Sequence, residues 1–308
     1  MNEYEKEIPE KQLYKASTEN IKSYGIMNAP VTNINAIFGY NIIVSSETQN
    51  FIDKLLIFSQ KNILNSLKDI TSTKYLQLNL ISLPNEIINY ILYNLKTKFR
   101  EIIKNKNGNY FCSDLIKKCN FEQRIEIIKE LSNTLYEDCN NKYANYTIKN
   151  LIAASSNEIE FKLLISSFNE CNKIITATLN KHGNYVIQGI IKYIPEEFRT
   201  DFNILFTKCI YIFSKHEIGV FVAKYFICNT KNNIIKNQIL IIIWTNFIDI
   251  SQNQYGNYVI QLLLKLWWNK SQGNYLKKII NEKYQILIKN KHSLFICHLF
   301  NKLNKKNS

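Results

Sequence analysis

Gly183-Asn184-Tyr185-Val186-Ile187-Gln188 recurs unchanged as Gly256-Asn257-Tyr258-Val259-Ile260-Gln261, 73 residues further along the chain. Half of that separation is a common length for a helical repeat. Steps of about 36 residues reach Gly108-Asn109-Tyr110-Phe111-Cys112-Ser113, Ala144-Asn145-Tyr146-Thr147-Ile148-Lys149 and Gly219-Val220-Phe221-Val222-Ala223-Lys224. One further step back reaches Ser72-Thr73-Lys74-Tyr75-Leu76-Gln77. The pentapeptides therefore begin at 73, 109, 145, 184, 220 and 257, at intervals of 36, 36, 39, 36 and 37. Gly39-Tyr40-Asn41-Ile42-Ile43-Val44 stands as a weaker seventh unit, 33 positions before Thr73.

Pro84 and Pro195 each fall eleven positions after the start of their pentapeptide. Proline there ends one helix and can open the next. In other units the same turn holds Asn120 or Ser156, followed by Glu122 or Glu158. These residue types cap and charge a helix N-terminus. A second apolar stripe follows the turn, as in Ile125, Ile127, Ile128 and Leu131, or Ile235, Ile239, Ile242 and Ile243. Such a stripe needs a neighbour to cover it, so stacked units give an α-solenoid. Gly, Ala or Ser directly before every pentapeptide predicts close helix approach.

The 308-residue chain is 46% hydrophobic with 8 Gly and 4 Pro, too few breakers for a strand-and-turn protein. Its 39 basic and 25 acidic residues leave a formal charge of +14, which suggests a polyanionic partner. Arg occurs only at 100, 124 and 199, and the chain is also rich in Asn and Ile, so compositional drift is an alternative source of part of that charge. The seven cysteines, at 112, 119, 139, 171, 209, 228 and 297, form no Cys-x-x-Cys pair and read as buried free thiols in a reducing compartment. Glu3, Glu5 and Glu7 open a chain start without a signal-peptide pattern, and the longest apolar run, Ile239–Trp244, is far short of a membrane span. A soluble intracellular protein without a membrane segment is expected.

Within a helix, positions one and five of the pentapeptide share a face, so Asn184 and Gln188 can converge on one flat object. Tyr185 lies about 100° round the helix and can fill the gap between two such objects. Unstacked bases fit this arrangement, with polar atoms on an edge and rings between. A core role for the ring is less suitable, because positions three and four already supply the apolar face.

Lys181-His182-Gly183-Asn184-Tyr185-Val186-Ile187-Gln188 and Asn253-Gln254-Tyr255-Gly256-Asn257-Tyr258-Val259-Ile260-Gln261 resemble the repeats of the Pumilio (PUF) family. The resemblance covers roughly residues 35–305 and weakens before Thr73. Residues 273–305, with Lys291-His292-Ser293-Leu294-Phe295, Leu299 and Leu303, resemble the family's C-terminal helical cap. The implied organisation is a charged leader or degenerate cap over 1–30, then a repeat array over 31–308. The implied fold is all-α, a crescent-shaped α-solenoid coiled as a right-handed superhelix of repeats of about 36 residues. Its concave face would bind single-stranded RNA antiparallel to the protein, one base per repeat.

Carried over, Asn257 with Gln261 and Asn184 with Gln188 would each hold a uracil, while Tyr258 and Tyr185 stack. Where the family usually has Ser and Glu for guanine, this chain has Val220 and Lys224 around Phe221, and neither can accept a hydrogen bond from a guanine edge. Asn145 with Lys149 and Asn109 with Ser113 are likewise non-standard, although Tyr146 and Tyr110 keep the ring. Thr73 with Gln77 is nearer an adenine-type set, with Lys74 in place of a stacking Arg.

The family further implies post-transcriptional repression or decay of bound messenger RNA through its 3′ untranslated region, with recruited decay or translation factors, by a cytoplasmic monomer. A divergent nuclear or nucleolar relative that binds RNA with little base selectivity, as in ribosome biogenesis, and a protein-binding solenoid remain alternatives. An enzyme is disfavoured, because His182, His216, His292 and His298 lack metal-ligand spacing and no nucleophile or phosphate-loop motif appears. His182 and His216 fall just before their pentapeptides, where Tyr255 stands in the aligned unit, and packing accounts for them. No metal or cofactor is expected.

Overall fold

The computed structural model describes residues 46, 48, 50 and 65–307, and every regular element among them is helical. The leader over 1–30 and the weak unit at Gly39–Val44 lie outside the described residues. The chain divides into two compact units, Met1–Lys96 and Thr97–Ser308.

In the first unit, α1 (Ile70–Leu80) is followed by α2 (Asn85–Leu95). Pro84 is the N-cap of α2, as its spacing predicts, with extended backbone that α1 cannot continue through. Thr73, Leu76, Leu80 and Leu83 are buried, the register expected if Thr73 holds position one.

The second unit repeats a three-helix motif made of a short helix, an inner helix carrying the pentapeptide and an outer helix. The motifs are α3 (Phe99–Ile103), α4 (Gly108–Lys118) and α5 (Phe121–Leu131); α6 (Leu135–Asp138), α7 (Ala144–Ala154) and α8 (Glu158–Ser166); α9 (Cys171–Leu179), α10 (Gly183–Tyr193) and, after a 3-10 turn at Glu196–Arg199, α11 (Thr200–Lys208). Then come α12 (Ile210–Ser214), α13 (Gly219–Asn229) and α14 (Asn233–Thr245); α15 (Phe247–Gln252), α16 (Gly256–Trp267) and α17 (Ser271–Leu287). A final helix, α18, runs over Leu294–Asn307.

Inner helices pack on inner helices in series, α4 on α7, α7 on α10, α10 on α13, α13 on α16 and α16 on α18. Outer helices form the second layer, with α5 on α8, α11 on α14 and α14 on α17. The core lies between the layers. Val186, Ile187, Ile190 and Ile191 bury one face of α10, each such side chain contributing about 1.5–3 kcal/mol. Ile125, Ile127, Ile128 and Leu131 are buried as expected, as are Ile235, Ile239 and Ile243, whereas Ile242 is half-buried. Phe206 centres an aromatic cluster, its ring centroid 4.7 Å from Phe213 and 4.5 Å from Phe226.

Acidic groups join several successive repeats of the second unit at about the repeat spacing. Arg124 Nε donates to Glu160 Oε1 at 2.6 Å, and its Nη1 donates to the Cys119 carbonyl at 2.7 Å. Arg100 donates to both Asp138 oxygens, and Glu196 accepts from the backbone N–H groups of Lys231 and Asn232. Asn120 forms a full capping box with Gln123. The cap of α8 is Asn157 and not Ser156: the Asn157 side chain accepts from Glu160 N, while Ser156 N donates to Glu160 Oε2. All seven cysteines are free, but the expectation that all are buried fails at Cys228, which is exposed, and at Cys171, which is half-buried.

Candidate nucleic-acid interface

Each inner helix of the second unit begins with the same turn. Asn105 Oδ1 accepts from Asn107 N and Gly108 N at 2.9 and 3.0 Å, and Asn141, Asn180 and Asn253 do the same for the two residues before their own position one. In the unit at Val220 the acceptor is His216 Nδ1, which takes Ile218 N and Gly219 N. His216 therefore occupies the place of Asn253 and not of Tyr255, as expected above. Its role is capping. His182 does stand where Tyr255 stands.

That turn fixes where the pentapeptide begins, and close packing holds it there. A Cβ on Gly183 would lie 2.6 Å from the Ala177 carbonyl oxygen, and one on Gly219 would lie 2.8 Å from that of Phe213. The small residue before the pentapeptide is thus required by the approach of the preceding short helix.

Position two points outward in every unit of the second body. Tyr110, Tyr146, Tyr185, Phe221 and Tyr258 are 52–64% exposed, unusually high for large rings in a folded protein. Positions three and four are buried throughout these units. The rings are therefore not core residues.

Position one behaves differently from expectation. Asn109, Asn145, Asn184 and Asn257 are 1–7% exposed, and the Nδ2 of each donates to the carbonyl four residues earlier at 2.9–3.0 Å. Gln188 Nε2 then donates to Asn184 Oδ1 at 3.0 Å, and Gln261 Nε2 to Asn257 Oδ1 at 2.8 Å. The two amides do not stand side by side as equal groups. The Asn is anchored to the backbone beneath, and the half-buried Gln is held by it.

Ser113, expected at position five beside Asn109, is buried and lies 3.3 Å from Thr147 Oγ1, which also donates to the Asn109 carbonyl. Its hydroxyl links α4 to α7 and is not presented outward. Val220 is buried, while Lys149 and Lys224 are half-buried. Lys224 Nζ lies 6.0 Å from the centroid of Tyr258, the ring of the next unit. Lys149 runs against α10, its Cγ 3.4 Å from where a Cβ on Gly189 would sit.

In the first unit Thr73 Oγ1 donates to the Asp69 carbonyl at 2.6 Å, the same bond its Asn counterparts make. Lys74 is exposed at position two, and the ring is displaced to Tyr75 at position three, which is also exposed. Gln77 is half-buried.

One ring was not foreseen. Asn290 Oδ1 accepts from His292 N and Ser293 N, repeating the turn before α18, and places Phe295 in position two, 56% exposed and 37 residues after Tyr258. The sequence signal was Asn290, four residues before Leu294, as Asn253 precedes Asn257. Among the described residues no group of three or more His, Cys, Asp or Glu could hold a metal ion, and no helix is long and apolar enough to cross a membrane.

The sequence model of the Pumilio-family RNA binding repeat matches residues 98–132, 178–201 and 246–266, three segments that each contain inner-helix residues described above. These three segments are similar to Pumilio repeats. Among relatives, it is 26% identical over 181 residues to Suppressor protein MPT5 of Saccharomyces cerevisiae, which covers 56% of this chain and 21% of that one. It is 25% identical over 203 residues to Pumilio homolog 12 of Arabidopsis thaliana, covering 62% of this chain and 32% of the relative. The chain spans from one fifth to about one half of the length of the curated relatives it matches. Among solved Pumilio structures, PUF-8 in complex with PBE-RNA superposes with a TM-score of 0.71 at 19% identity, covering 97% of this chain and 87% of that one. The RNA-binding domain of yeast Puf5p bound to AAT2 RNA gives 0.70 at 21% identity, covering 78% and 68%. At those identities the likeness establishes the helical-repeat fold.

Proposed function

We propose that this chain binds single-stranded RNA on the face formed by Tyr110, Tyr146, Tyr185, Phe221 and Tyr258, with Phe295 continuing the row. The supporting observation is that these rings are exposed at one register of stacked helices while positions one, three and four of the pentapeptide are buried. An exposed ring repeated once per helix pair offers a stacking surface for successive bases, each stack contributing about 1–3 kcal/mol whatever the base. The Pumilio relatives whose structures hold RNA support the same reading.

Base identity enters at position five. Gln188 and Gln261 each spend one Nε2 hydrogen on the Asn below, which leaves Oε1 to accept and the second hydrogen to donate. Uracil offers the matching N3–H donor beside a carbonyl acceptor, so these two units select uracil. Lys224 carries donors alone and cannot receive the N–H groups of guanine, so the base between the two uracils is not a guanine held as the family usually holds it. In the second unit the half-buried Lys149 above Asn145 and Lys224 above Val220 add cationic groups with weaker selectivity, while Thr73, Lys74 and Gln77 form a candidate set of the first unit by itself. The resulting activity is binding of messenger RNA and its repression through recruited factors, by a cytoplasmic monomer in which residues 273–305 cap the repeat array over 31–308.

Unbiased selection of bound RNAs tests this. The expected product carries enriched uracils at a two-nucleotide offset, and Tyr185→Ala with Gln188→Ala weakens its binding while the helical content is unchanged. Selection without uracil enrichment, combined with affinity that depends on salt alone, would favour the charge-driven alternative, to which the non-standard pairs at Val220 and Asn145 also point.

A further inference from the structure

In each Asn-capped turn the cap takes the N–H groups two and three residues on, so the residue directly after the cap forms the apex. Its side chain is turned away from the packed helices. The six apices of the second unit are Lys106, Lys142, Lys181, Glu217, Gln254 and Lys291, and all six are exposed. Three successive units thus place a lysine at the same point of the same turn. Neighbouring packed helices lie about 8–10 Å apart, which is also about one Debye length at physiological salt, so charges at successive apices reinforce one another. His182 registers that overlap: partial burial lowers its pKa first, and Lys181 of its own unit and Lys142 of the preceding one lower it further. Lys142 Nζ also lies 4.7 Å from the centroid of the Tyr143 ring. Among the described residues none of Lys106, Lys142 and Lys181 has an acidic partner within ion-pair distance, whereas Lys117, Lys129 and Lys162 are paired with Asp114, Glu126 and Glu158.

We infer that, on a chain that binds RNA through its ring row as proposed above, Lys106, Lys142 and Lys181 form a track for the phosphodiester backbone of that RNA. The same three units, at Asn109, Asn145 and Asn184, hold one uracil-type pair among them. The unit at Val220 ends the track with Glu217, and the unit at Asn257, which has the second pair, carries the neutral Gln254. Grip on the backbone is therefore concentrated in three units that hold one uracil-type pair among them, and the units at Val220 and Asn257 hold the other pair without a lysine apex.

Fluorescence anisotropy with labelled oligouridylate and oligocytidylate, titrated across salt, separates the terms. The variant Lys106→Gln/Lys142→Gln/Lys181→Gln is expected to lower the slope of log Kd against log salt by about 2, from about 0.7 per single-strand phosphate released. Preference for oligouridylate over oligocytidylate stays at its starting ratio. Lys117→Gln/Lys129→Gln/Lys162→Gln removes the same charge away from the apices and should leave the slope in place. An unchanged slope in the first variant, or an equal fall in both, overturns the track. Failure of the unmodified chain to bind either oligomer overturns the RNA reading itself, and the track with it.

Discussion

Gln188 Nε2 donates to Asn184 Oδ1 at 3.0 Å, so the outward amide of this unit is held in place by a buried one. The two residues should then fail differently. Gln188→Ala removes a half-buried group and is expected to reduce uracil preference with a stability change within about 0.5 kcal/mol. Asn184→Ala removes a buried amide together with its bonds to the Asn180 carbonyl and to Gln188 Nε2, at about 1–3 kcal/mol, although the Asn180 carbonyl keeps the Asn184 N–H. Urea unfolding beside competition binding reads both. Equal loss of stability in the two variants would contradict the assignment.

Arg124 and Glu160 join two outer helices with side chains 11% and 0% exposed. Truncating one partner leaves the other charge buried and unpaired, which costs about 3–5 kcal/mol. Arg124→Ala should accordingly lower the urea midpoint sharply. The exposed pair of Lys162 and Glu158 serves as comparison, since Lys162→Ala should cost no more than about 1 kcal/mol.

Asp138 links the unit at Asn145 to Arg100 of the preceding one. Burial raises its pKa, but the hydrogen bonds from Arg100, Lys104 and Thr134 outweigh that and hold it below the ordinary carboxylate range. A carboxyl depressed in the folded state stabilises above its unfolded pKa of about 3.9 and loses that contribution as pH falls through the folded value. The melting temperature should therefore fall on the acid side below about pH 4. Asp138→Asn should flatten that acid limb while lowering stability at neutral pH.

Two glycines of α10 predict opposite outcomes. A methyl on Gly183 would meet the Ala177 carbonyl oxygen at 2.6 Å, together with Asn140 Oδ1, so Gly183→Ala is expected to destabilise by about 1–3 kcal/mol. A methyl on Gly189 meets the flexible Lys149 stem at 3.4 Å, and Ala is the better helix former by about 1 kcal/mol. Gly189→Ala should raise the melting temperature. Loss of stability in both variants would refute the distinction.

The sequence by itself determined the period, the helical class, the ring register and the sites of the two Asn-Gln pairs. Periodicity and residue type express these directly, because an apolar stripe and a duplicated pentapeptide are visible without coordinates. Tertiary structure decided what each polar residue does. Asn at position one is sealed because the turn before it brings a carbonyl four residues back within reach. Ser113 is turned inward because α7 offers Thr147. His216 caps a helix because its Nδ1 replaces an Asn side-chain oxygen in the shared turn. Phe295 joins the ring row because Asn290 repeats that turn within a stretch read from sequence as a cap. These are choices of hydrogen-bond partner, and a partner on another turn or another helix exists only once the helices have packed.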